Sequence, residues 1–226
     1  MTLTVAYCAL LGGVLVWAFL VSKLRAKSWE TKGATGALHE GGDTGLAPGR
    51  IGLWTFLCVI TSLFGLFLTA YHMRMAAGIE HGDWVHFPVP RILWANTAIL
   101  MLGSVAMQWA RMAADSGARD AMRARLVTGG ILTGAFIVGQ LLAWRELSDT
   151  PFATRANPAV AFFYLLTAVH GLHVLGGLAV WARTVLKLAA PAAQAVDVRQ
   201  VVVLCTIYWH YLLLVWLVLF GLMLST

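Results

Sequence analysis

Four histidines fall in or beside apolar stretches: His72, His170, His173 and His210. Imidazole in such a setting can ligate haem or copper, or carry a proton near neutral pH. His170 and His173 are three apart and share one helix face. Two ligands so placed cannot clamp opposite sides of one haem, and no wider pair serves two haems across a bilayer. The simpler reading is preferred: these rings hydrogen-bond between helices, each bond contributing roughly 0.6 kcal/mol. His210 follows Tyr208-Trp209 and reads equally as part of an aromatic cluster or as a polar contact to a partner subunit. Gln108 and Gln140 are amides in apolar runs and need partners, so they are read as staples between helices.

The carboxylates are all peripheral. Glu30, Glu40, Asp43, Glu80, Asp83, Asp115, Asp120, Asp149 and Asp197 fall in polar stretches, and Glu146 just past an apolar one. Ion-coupled carriers keep an acid at mid-membrane, so this chain is not read as a carboxylate proton relay. A hard-cation site, which wants carboxylates, is disfavoured for the same reason. Cys8, Cys58 and Cys205 are widely spaced, with no CxxC, and read as small apolar residues.

The elements that position these groups follow from composition. Of 226 residues 60% are hydrophobic and 12% charged, against roughly 25% charged in soluble domains. A cytosolic enzyme and a nucleic-acid module are excluded, and the net charge of +6 reads as orienting loops. A bilayer core needs about 20 apolar residues per helix. Six stretches qualify: Leu3–Val21, Ile51–Met73, Ile92–Ala110, Leu126–Trp144, Val160–Trp181 and Val201–Leu224. In lipid each must satisfy its own backbone, so each is a helix. The N-terminal stretch lacks a basic n-region and a cleavage site and reads as a spanning helix rather than a signal peptide.

Loops 22–50, 111–125 and 182–200 hold twelve basic residues, and the other two hold Arg74, Arg91, Arg145 and Arg155. The positive-inside rule places the twelve in the cytoplasm and both termini outside. Residues 25–50 are polar and Gly-rich and read as a linker, separating a first helix (1–24) from the main domain (51–226). Residues 75–90, with Trp84 and two prolines, read as a non-spanning outer loop. Gly171, Gly176, Gly177, Ala168 and Ala179 form a small-residue face that permits close helix approach.

Two motifs carry a resemblance. One is Asn157-Pro158, then Phe162-Phe163-Tyr164-Leu165-Leu166-Thr167, then His170-Gly171-Leu172-His173-Val174-Leu175-Gly176-Gly177. The other is Tyr208-Trp209-His210-Tyr211, followed by Val215-Trp216-Leu217-Val218-Leu219-Phe220. Leu93 to Thr97, Gln108, Gly139-Gln140 and Trp144 to Leu147 add weaker support. From about Arg50 to Leu224 the chain resembles subunit III of the haem–copper respiratory oxidases, which use cytochrome c or quinol.

The resemblance implies an all-α polytopic membrane bundle, here of six transmembrane helices, in two groups forming a V whose cleft holds phospholipid. It implies a non-catalytic subunit of a bacterial plasma-membrane oxidase, with haems and copper in subunits I and II. Its role would be to brace subunit I, support proton uptake and protect the complex during turnover. Three positions where the family usually carries an acid are apolar here, Ile60, Val203 and Leu213, so the chain looks like a divergent branch. Proton-linked roles tied to those acids are not carried over. Arg183 and Lys187 are the candidates for anionic lipid headgroups; His170, His173, His210, Trp54 and Trp209 are the candidates for the lipid cleft and bundle packing. The alternatives are an accessory subunit of a nitric oxide reductase and a stand-alone haem-binding membrane cytochrome. A transporter is disfavoured, because paired broken helices are missing.

Overall fold

The computed structural model describes residues 48–151, 157–189 and 195–225. The first apolar stretch, Leu3–Val21, Cys8 and most of the 25–50 linker lie outside the described residues. Five long helices follow: α1 (Pro48–His81), α2 (Ile92–Asp115), α3 (Arg119–Ser148), α4 (Pro158–Ala189) and α5 (Ala195–Leu224). All five are long and apolar enough to cross a membrane, so the protein is an all-α integral membrane protein. The sixth span read from the sequence falls outside the described residues.

Each helix outruns the apolar stretch that signalled it. The loop read at 111–125 shrinks to a turn at 116–118, and the outer loop read from residue 75 begins after His81. Hydrophobicity marks where lipid begins and ends. The backbone ladder continues past that line, because nothing in the flanking residues breaks it. Two of the helices stop at glycines. Gly82 and Gly117 have φ of 73° and 74°, and each sits where a Schellman turn needs a left-handed residue. Asp83 N–H donates to Gly78 C=O at 3.0 Å, and Ala118 N–H to Ala113 C=O at 3.0 Å.

The chain divides into two compact units, 1–69 and 70–226, with the boundary inside α1. In the first, Leu57, Ile60 and Phe64 form a buried stripe, while Trp54, Phe56, Val59 and Leu66 are exposed. Thr55, Thr61, Ser62 and Thr69 each donate to the carbonyl four residues back. That satisfies hydroxyls within the helix itself, as a long apolar helix requires.

In the second unit, α2, α3, α4 and α5 close into a four-helix ring: α2 packs on α3 and α5, and α4 on α3 and α5. Its centre is filled by Trp209, Trp216, Phe136, Phe163, Leu93, Leu100, Met107, Leu126 and Leu166, all at most 1% exposed. The ring is held by one repeated contact. A threonine donates to the carbonyl four residues back on its own helix and accepts an indole N–H from another helix, adjacent or across the ring. Trp216 bonds Thr97 at 2.9 Å, Trp209 bonds Thr133 at 2.8 Å, and Trp144 bonds Thr167 at 2.9 Å. Both polar groups are thereby satisfied without water.

Candidate functional site: a histidine-bearing bundle core and its outward polar patch

The FYLLT–HGLHVLGG segment is α4. Its start is fixed by Asn157, whose Oδ1 accepts Ala159 N–H at 3.1 Å as an N-cap, with Pro158 at the first helical position. The same side chain clamps the 82–91 connection: its Nδ2 donates to Val85 C=O at 2.7 Å, and its Oδ1 accepts Val85 N–H at 3.4 Å. Beside it Trp84 is buried, edge-on to Tyr71, which also meets Phe162 edge-on. Trp84 therefore anchors the 82–91 connection against Tyr71 and Phe162. Outside the spans, the Arg74 guanidinium bonds Asp83 and holds its carboxyl below the ordinary value.

His170 and His173 diverge in use. His170 is fully buried, 5.3 Å from the Trp216 ring and edge-on to Phe136 at 5.9 Å. His173 is half-buried, and its Nδ1–H donates to Val169 C=O at 2.7 Å. Its backbone carbonyl accepts the Tyr208 hydroxyl at 3.0 Å, tying α4 to α5. Among the described residues, no three His, Cys, Asp or Glu side chains converge on a common point. The described carboxylates are all exposed. Cys58 and Cys205 carry free thiols, the latter buried.

Trp209 lies in the core at 1% exposure, bonded to Thr133. His210, next to it, points outward and is exposed. Its Nδ1 meets the Ser104 hydroxyl, and its Nε2 meets Gln108 Oε1 at 3.2 Å. Gln108 thus joins α2 to α5, as a staple should. Gln140 does not: it is 4% exposed, yet its amide makes no hydrogen bond to a described residue. Arg183 is exposed on α4, the Lys187 side chain lies outside the described residues, and Trp54 is 48% exposed on α1.

The small-residue face on α4 is only partly a packing face. A Cβ at Gly177 would meet Tyr208, whereas Gly171 and Gly176 have no described atom within 4 Å. The close approaches are on α3 instead. The Trp181 indole lies over Gly130 while its N–H donates to Leu126 C=O at 2.8 Å, and the Asn96 amide lies over Gly139. Sequence reasoning named Gly139 only as part of a motif and did not name Gly130. The signal was present: each leaves room for a bulky or amide-bearing side chain that must reach a backbone carbonyl one turn away.

Comparison with known proteins places this arrangement. The family model for cytochrome c oxidase subunit III matches residues 8–225. A probable cytochrome c oxidase subunit 3 of Mycobacterium bovis is 27% identical, over 76% of this chain and 86% of the relative. A cytochrome bo(3) ubiquinol oxidase subunit 3 of Pseudomonas aeruginosa is 27% identical, over 81% and 85%. A cytochrome c oxidase subunit 3 of Pisaster ochraceus is 31% identical, over 76% and 67%.

Proposed function

The chain belongs to the cytochrome c oxidase subunit III family, and from that premise we propose that it braces the catalytic subunit of a respiratory oxidase in a bacterial plasma membrane. It is a non-catalytic subunit of a haem–copper oxidase. The single observation that carries this is the family match across residues 8–225. The geometry agrees with it: His170 is packed in the bundle core, His173 bonds its own helix at Val169, and His210 bonds Gln108 across to α2.

The remaining parts of the proposal are finer. Subunit I is the main contact and subunit II completes the complex; both hold the redox centres. The chain crosses the membrane six times, with an extra first helix (1–24), a cytoplasmic linker (25–50), a five-helix domain (51–226) and both termini outside. Two helix groups form a V that holds phospholipid. Arg183 and Lys187 meet anionic headgroups, supported by the exposure of Arg183 and the basic charge at that end of α4. Trp54 contacts lipid, while His170, His173 and Trp209 keep the bundle packed.

Support for proton uptake by the complex belongs to the same proposal. With Ile60, Val203 and Leu213 apolar, that support acts through packing and lipid rather than through these positions. The test is purification from native membranes in mild detergent, followed by identification of the co-purifying chains. A large subunit carrying haem and copper supports the proposal. A large subunit with non-haem iron would replace it with a nitric oxide reductase accessory role.

A further inference from the structure

We propose that the first apolar stretch, Leu3–Val21, packs antiparallel along one stripe of α1, so that the extra N-terminal helix is held by its own chain rather than by a neighbouring subunit. The inference rests on the six-span topology above and specifies what the first span touches. On α1, Leu53, Leu57, Ile60, Phe64 and Phe67 are spaced four, three, four and three residues apart. That spacing is the seam of a helix lying nearly in line with another along its length. Leu57, Ile60 and Phe64 are 5%, 2% and 4% exposed, and Leu53 and Phe67 are half-buried. The residues between them, Trp54, Phe56, Val59 and Leu66, lie open. A fully buried side chain touches roughly 6–12 other residues, more than a lone helix supplies, so a second element covers this stripe.

The covering element belongs to the same chain, since the stripe is enclosed without any other molecule. The helices that close on one another are α2 to α5, all within 70–226, whereas the stripe belongs to the compact unit 1–69. Besides α1, that unit contains one apolar run of spanning length, Leu3–Val21, which lies outside the described residues. Its dimensions fit. As a helix it is about 27 Å long, enough to cover a seam from Leu53 to Phe67 of about 21 Å. The linker is ample, because packed helix axes are only about 8–10 Å apart and residues 22–47 can reach many times that. One span runs inward and α1 runs back, so the midpoints of the two apolar stretches, Gly12 and Ser62, come to the same depth. Gly12-Gly13 then meets α1 between Ile60 and Phe64, small residues against large ones. Ala6, Ala9, Gly13 and Val16, at i, i+3, i+7 and i+10, share one side of such a helix.

The test uses the full chain in its native membrane. Cys8, Cys58 and Cys205 are replaced by Ala, and Gly13→Cys is combined with Ile60→Cys in one preparation and with the exposed Val59→Cys in another. Bridged cysteines need Cα atoms within about 7 Å, so oxidation should close an intramolecular disulfide at least about tenfold more efficiently from position 60 than from position 59. Equal yields from the two positions, or disulfides only between two chains, overturn the proposal. Separately, a protease site is inserted between Gly36 and Ala37 and cut after membrane assembly. The fragment carrying residues 1–36 should stay with the remainder in mild detergent. Ile60→Trp should lower that retention about tenfold by overpacking the seam, and Val59→Trp should leave it unchanged. Loss of the fragment from the cut, otherwise native chain overturns the proposal. If the cysteine variants fail to accumulate, this retention decides. Thr2→Cys distinguishes the two levels of failure. Labelling from outside together with loss of the fragment sinks the packing alone, whereas labelling from the cytoplasmic side shows that Leu3–Val21 does not span and sinks the six-span topology with it.

Discussion

The Trp209 indole N–H donates to the Thr133 hydroxyl at 2.8 Å, across the bundle from α5 to α3, while that hydroxyl donates to Gly129 C=O at 2.8 Å. Both residues are at most 1% exposed. Thr133→Val keeps the shape and strands the indole N–H, so destabilisation of about 1–2 kcal/mol is expected. Denaturant unfolding in detergent measures it. Pairing Thr133→Val with Trp209→Phe should cost less than the sum of the single changes, because no orphan donor remains.

Asn157 has two separable roles. Asn157→Asp keeps the acceptor that caps Ala159 and loses the donor to Val85 C=O. Asn157→Ala loses both and should cost about 1 kcal/mol for the cap alone. Limited proteolysis at residues 82–91 should accelerate in both variants, whereas thermal stability of α4 should fall mainly in Asn157→Ala.

Gly139→Ala drives a methyl group into the Asn96 amide, which donates to Phe136 C=O at 3.3 Å. Overpacking of this kind costs about 1–3 kcal/mol. Gly176→Ala meets only open space among the described residues and should stay within about 0.5 kcal/mol of the parent. Thermal unfolding of the two variants side by side checks the contrast. Equal effects would show that the α2–α3 approach is looser than described.

The Arg74–Asp83 pair sets a pH window. Asp83 titrates below its ordinary value of 3.8 because Arg74 bonds its ionised form. A depressed acid contributes above its unfolded pKa, and the contribution is lost as pH falls through the folded value. Order in residues 82–91, followed by hydrogen exchange, should therefore be constant from about pH 5 to 8 and fall only in stronger acid. Asp83→Asn should abolish the acid transition without altering the neutral state of α2–α5.

Much of this was legible from the residues. Apolar runs gave the five described spans, since lipid leaves the backbone no other solution. Helix ends were not legible from hydropathy, although Gly82 and Gly117 marked two of them. His170 and His173, three residues apart, were correctly placed on one helix, but their different partners depend on what α3 and α5 bring: Phe136 and Trp216 to one, Tyr208 to the carbonyl of the other. The Trp–Thr pairs were invisible because each joins residues at least 23 positions apart. Gln140 read as a staple by type alone, and type does not reveal whether a partner lies within reach. The outward turn of His210 beside the inward Trp209 follows from their adjacency, about 100° apart around α5; which of the two faced the core required the neighbouring helices.

The most direct test of the central claim is isolation of this chain from native membranes, first with its companions and then alone, with an optical spectrum at each stage. The account predicts haem absorption and copper with the companion subunits, and no reducible Soret band from the separated chain. A Soret band held by the chain alone would contradict it.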